Sequence, residues 1–158
     1  MIRITRQTDY GIVLMTHMAG SPERRLNAPE LAEEVRLPLP TVSKILKLLT
    51  REGLLESHRG IKGGYSLARP AEEISMAVII ACLEGPIAIT ECIDDTSGCV
   101  HEPLCRVRGN WQRINEAVRT ALSGITLAEM THPLAARLVT LGGRRPPVHA
   151  MELPLPQN

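Results

Sequence analysis

The chain has 158 residues, 44% of them hydrophobic, and a net charge of +1, enough to bury a modest core as one domain or as a small domain with an appended helical piece. Four cysteines without an apolar leader, and no apolar run of membrane-spanning length, exclude a disulfide scaffold and a membrane span and predict a cytoplasmic protein with reduced thiols. Charge is uneven: residues 1–69 hold eleven Lys/Arg against seven Asp/Glu, whereas 70–134 hold four against nine, which assigns any polyanion contact to the first stretch.

A first helix is predicted over residues 8–20, with Thr8 as its cap, Asp9 in the first turn, and Ile12, Met15, Met18 and Ala19 at helical spacing. Asn27 then caps a second helix, with Pro29 in its first turn, Glu30 closing a capping box, and Leu31, Ala32 and Val35 forming a buried stripe. After the break at Arg36, Leu37 and Pro38, a third helix begins at about Pro40 and ends at Gly53. Two short helices joined by so tight a turn are a helix-turn-helix, the second being the recognition helix. Its Val42, Ile45, Leu48 and Leu49 are expected in the core, leaving Thr41, Ser43, Lys44 and Lys47 outward.

Two strand-like runs, 54–59 and 65–68, flank the glycine-rich basic turn Gly60-Ile61-Lys62-Gly63-Gly64. A hairpin placed directly after a helix-turn-helix is a wing. An apolar helix follows over 75–84, capped by Ser75 and stopped by Gly85 and Pro86, with Cys82 read as a buried small hydrophobe. Residues 87–106 form a loop. From there Val107, Trp111, Ile114, Val118, Ala121 and Ile125 recur at spacings of 4, 3, 4, 3 and 4, a seam suited to helix-on-helix pairing and read as the dimerisation helix. A last helix is expected over 127–141 and a disordered tail over 142–158.

The fold class is therefore mainly α: a winged helix-turn-helix over 1–69, then a loop with dimerisation helices over 70–141. Thr41, Ser43, Lys44 and Lys47 are short polar and basic groups at the start of a helix narrow enough for a major groove, and Arg59 and Lys62 on the wing can reach phosphate or minor groove. With only Tyr10, Tyr65 and Trp111 as aromatics and no Phe, stacking on single strands is disfavoured, and the expected partner is double-stranded DNA. The competing reading is a winged helix used for protein contact. No paired carboxylates, Ser/His constellation or phosphate loop points to an enzyme; residues 60–64 join strands and open no helix.

A second motif is Cys92-x6-Cys99-x5-Cys105, in a polar loop with Gly98 and Pro103. Three thiols on one loop can converge on a metal, and thiolates suit iron-sulfur clusters, zinc and copper(I). His101 could complete a Cys3His zinc set, but neither cysteine gap is as short as a zinc knuckle, so a cluster is favoured. Two further readings stand: a small iron-sulfur redox enzyme component, and a zinc-stabilised interaction module.

Over residues 1–130 the sequence resembles the winged-helix regulators that include the iron-sulfur assembly regulators IscR and SufR and the nitric oxide sensor NsrR. Ile4-Thr5, Asp9-Tyr10, the wing from Arg59 to Tyr65, the three cysteines, Trp111 and Ile125-Thr126-Leu127 carry the likeness. The resemblance implies a homodimer on a palindromic operator, holding a 2Fe-2S or 4Fe-4S cluster near the dimer interface, with 2Fe-2S favoured. Cys92, Cys99 and Cys105 match its cluster cysteines, and Thr41, Ser43 and Lys44 its base-contacting positions. Two departures stand out. The first cysteine gap is one residue longer than in the nitric oxide sensors, and Arg108 occupies the position where the IscR type has a histidine ligand. The fourth ligand is thus open among Asp9, which matches an aspartate supplied across the dimer in the nitric oxide branch, His101 and Glu102. The layout is closest to the SUF-operon regulators, which implies repression of iron-sulfur assembly genes, with nitric oxide or redox sensing as the alternative.

Overall fold

The computed structural model describes residues 3–60, 63–90, 93 and 105–132. Helix α1 spans Arg6–Ala19 and is capped by Thr5, whose side chain accepts from the Thr8 backbone N–H. Thr8 is therefore not the cap that its residue type suggests; it lies inside the first turn, fully buried. Helix α2, Ala28–Glu34, opens on the expected Asn27/Glu30 capping box. It closes through Arg36, which adopts a left-handed φ of 55°, with Leu37 N–H bonded to Ala32 C=O and Arg36 N–H to Glu33 C=O. That paired closure satisfies carbonyls left free at a helix end and turns the chain sharply into the next helix.

Helix α3, Leu39–Arg51, buries Val42, Ile45, Leu46 and Leu49. These four are the i, i+3, i+4, i+7 stripe of one helix face. Leu46 thus replaces Leu48 in the expected core set, and Leu48 sits half-buried at the edge of the stripe. Strands β1, Leu55–His58, and β2, Gly64–Leu67, pair antiparallel with Leu55 opposite Leu67 and His58 opposite Gly64. Tyr65 also exchanges two backbone hydrogen bonds with Leu26, which docks the wing onto the linker between α1 and α2. Position 64 admits only glycine: its φ is +150°, and a Cβ there would lie 2.9 Å from the Leu26 carbonyl.

Helix α4, Met76–Glu84, runs from the expected Ser75 cap to Gly85, whose φ of 93° stops it. Helix α5 spans Arg108–Ser123 and α6 Leu127–Met130, the latter with a Thr126/Glu129 capping box. The helix expected over 127–141 closes after one turn; residues 133–141 and the expected tail 142–158 lie outside the described residues. Backbone bonds from Met76 N–H to Ile125 C=O and from Leu127 N–H to Ile74 C=O tie the end of α5 to the start of α4. One cluster of buried side chains runs from Leu14 and Met18 of α1 through α3 to Ile79 and Leu83 of α4 and Leu127 of α6. Helices α1 and α4 approach so closely that a Cβ at Gly11 would overlap the Leu83 side chain.

Candidate nucleic-acid interface and cysteine loop

Burying one face of α3 fixes which residues are offered outward. Lys44 and Lys47 are exposed, and Thr41 and Ser43 are half-buried at the helix start. Beside them, Arg6, Gln7 and Tyr10 of α1 join Pro40, Thr41 and Lys44 in lining an open groove of about 340 Å³. On the wing Arg59 is exposed, whereas Lys62 lies outside the described residues. His58, next to Arg59, turns across the hairpin and bonds Ser66 Oγ at 2.8 Å.

The reading helices are braced by a contact that sequence reasoning missed. Glu34, on α2, accepts from Arg24 Nη2 at 2.8 Å and pairs with His17 Nε2 of α1. The Arg24 hydrogen bond first, then the one with His17, holds the Glu34 carboxyl below its ordinary value, and Glu34 in turn raises the Arg24 guanidinium. Three segments separated in sequence meet at one carboxylate, and no local spacing announces it.

Cys105 is half-buried immediately before α5. Cys92 and Cys99, with the alternative ligands His101 and Glu102, lie outside the described residues, and among the described residues no group of three His, Cys, Asp or Glu gathers. Asp9 is exposed on α1 and lines an open groove of about 510 Å³ with Ile12, Val13, Glu34 and Met130. Cys105 is not part of that groove's walls. Of the expected ligands, the described residues thus place the Cys105 thiol and the Asp9 carboxylate, and do not bring them together in one groove. Cys82 is set apart on α4 and is half-buried rather than fully so. Burial, with Glu52 nearby, pushes its thiol up to about 11, so it stays protonated and poorly nucleophilic near neutral pH.

The segment that leads into the loop is held to α5 by polar contacts. Asn115, the buried residue of α5, accepts from Ile89 N–H at 3.1 Å and donates to Ile87 C=O at 3.0 Å. The rest of the α5 seam divides. Ile125 packs against the chain's own core, while Val107 and Ile114 are 50% and 46% exposed. No described helix is long and apolar enough to cross a membrane.

The model of the Rrf2 family, described as iron-dependent transcriptional regulators, matches residues 4–133. Among curated relatives, Protein aau3 of Rhizobium meliloti is 34% identical over 122 residues, 77% of this chain and 75% of that one. The regulator NsrR of Shouchella clausii is 29% identical over 110 residues, 68% and 74% of the two chains. Among solved structures, CymR, the global cysteine regulator of B. subtilis, superposes with a TM-score of 0.66 at 29% identity, covering 83% of this chain and 97% of its own. T. potens IscR gives 0.64 at 26% identity, covering 82% and 85%.

Proposed function

The chain belongs to the Rrf2 family of transcriptional regulators, and on that premise we propose that it is a homodimeric repressor of iron-sulfur assembly genes whose DNA affinity follows the state of an iron-sulfur cluster. Residues 1–69 read a palindromic duplex operator, through Thr41, Ser43, Lys44 and Lys47 on α3 and Arg59 and Lys62 on the wing. Residues 70–141 carry the sensor, with Cys92, Cys99 and Cys105 as thiolate ligands and Asp9 reaching across from the partner subunit as the fourth. The observation that carries this reading is the outward polar and basic face of α3 beside an exposed Arg59, in a chain whose acidic second part holds three clustered cysteines. When bound, such a cluster supplies an oxidisable, labile centre. An oxygen ligand makes it more labile than a fourth thiolate would.

Anaerobically purified protein should show visible absorbance with matching iron and sulfide, lost in Cys92→Ser, Cys99→Ser and Cys105→Ser, and should shift its own upstream DNA in a cluster-dependent way. Asp9→Ala should shorten the cluster's lifetime in air while His101→Ala and Glu102→Ala do not. A colourless, zinc-loaded protein would sink the reading. The NsrR relative favours a second one, nitric oxide or redox sensing by the same cysteines. It predicts that nitric oxide releases the operator at concentrations where iron depletion does not.

A further inference from the structure

Helix α4 ends at Glu84, eight residues before Cys92. The Glu84 carboxylate does not point into solvent alone: its Oε1 accepts the backbone N–H of Thr5 at 2.6 Å. Thr5 is the cap of α1, and the helix it starts carries Asp9 in its first turn and the Arg6, Gln7 and Tyr10 side chains that share a groove with Thr41 and Lys44 of the recognition helix. One residue earlier, Leu83 presses on Gly11 with no room for a Cβ. Three and five residues later, Ile87 and Ile89 are clamped to α5 by buried Asn115. A continuous bracket therefore runs from α5, which follows Cys105, through residues 84–89 at the base of the cysteine loop, to the start of α1 and the groove beside α3.

We propose that Glu84 is a positioning residue that couples the cysteine loop to the recognition helix by holding the first turn of α1. The inference rests on the cluster-sensing reading above and adds to it the link between sensor and reader. The geometry suits the role. Asn115 ties Ile87 and Ile89 to α5 through two hydrogen bonds, so this segment is held between α5 and Glu84. Glu84 is exposed, so its hydrogen bond adds little to global stability, because water competes for both partners. A contact that is cheap to break and that orients an end of a helix can shift an equilibrium between two arrangements without unfolding either.

The test compares full-length wild type, Glu84→Ala and Glu84→Gln for cluster spectrum, melting temperature, and the ratio of operator Kd between cluster-loaded and cluster-free protein. Glu84→Ala should keep the spectrum and the melting temperature but reduce that ratio by roughly 2–10-fold, what the net worth of one hydrogen bond allows. Glu84→Gln keeps an amide oxygen that can accept from Thr5 and should retain the wild-type ratio. The proposal is overturned if Glu84→Ala keeps the wild-type ratio, or if Gln and Ala lower it equally. Loss of the cluster or of the fold in Glu84→Ala overturns it too, since Glu84 would then serve the loop or the core. A wild-type ratio of one removes the sensing reading itself, which separates the two failures.

Discussion

Glu34 shows what one side chain contributes to the reader. Its carboxylate joins α1, the linker and α2 through His17 and Arg24, and its folded-state value lies below the ordinary 4.5. A depressed carboxylate stabilises the fold above its unfolded value, and that contribution disappears as pH falls through the lower folded value. The melting temperature of wild type should therefore exceed that of Glu34→Gln at about pH 7, with the gap closing below 4.5; a gap that stays constant with pH would show that the contact is not ionic. The DNA-facing residues should divide by role. Losing Arg59 should weaken binding to all sequences and flatten the salt slope by about one unit. Losing Lys44 should instead cost about 1–3 kcal/mol at particular base pairs. Titrations across salt concentrations and operator variants separate the two, and equal losses on every sequence would mean that α3 does not read bases.

At the scale of elements, α2, α4 and the hairpin were legible because their signals are local: the Asn27/Glu30 box, the Ser75 cap with Gly85 as stop, and glycines between strand-like runs. Thr8 misled because Thr5, three residues earlier, offers the same hydroxyl at a position with extended backbone, which a cap requires. One member of the expected α3 core set differs because Leu46 and Leu48 are both apolar, and Leu46, not Leu48, completes the i, i+3, i+4, i+7 stripe with Val42, Ile45 and Leu49. Leu46 is fully buried and Leu48 is not. Leu46→Ala should accordingly cost about 2–5 kcal/mol in denaturant unfolding, and Leu48→Ala clearly less. Equal costs would show that Leu48 belongs to the core as fully as Leu46. Asn115 and the Glu34 contact left no trace in the sequence pattern, since their partners are distant and polar, and hydrophobic spacing carries no information about them.

At the scale of the molecule, α5 carries the seam proposed for pairing two chains. Within one chain this sixteen-residue helix buries Asn115, while Val107 and Ile114 stand about half exposed in a sequence seam whose 4-3 spacing suits pairing of helices. Exposed apolar side chains on a regular helical stripe mark a face that another element covers, and an antiparallel second copy of α5 presents the same stripe in return. Such a pairing would set two recognition helices about 34 Å apart, one turn of a duplex, so that a palindrome is read by symmetry. The C-terminal part of the seam is not free for this, because Ile125 packs on the chain's own core and its carbonyl holds Met76. If α5 pairs with a second copy, the exposed seam residues Val107 and Ile114, nearest Cys105, are the ones to meet it. Ile114→Glu should then give a monomer in sedimentation velocity, with a melting temperature that does not rise with protein concentration as that of the wild-type dimer should. Operator affinity should fall by several orders of magnitude, as half-sites no longer bind together. A stable Ile114→Glu dimer with intact operator binding would place the interface on another face, and the groove between Asp9 and Met130 would be the first surface to test in its place.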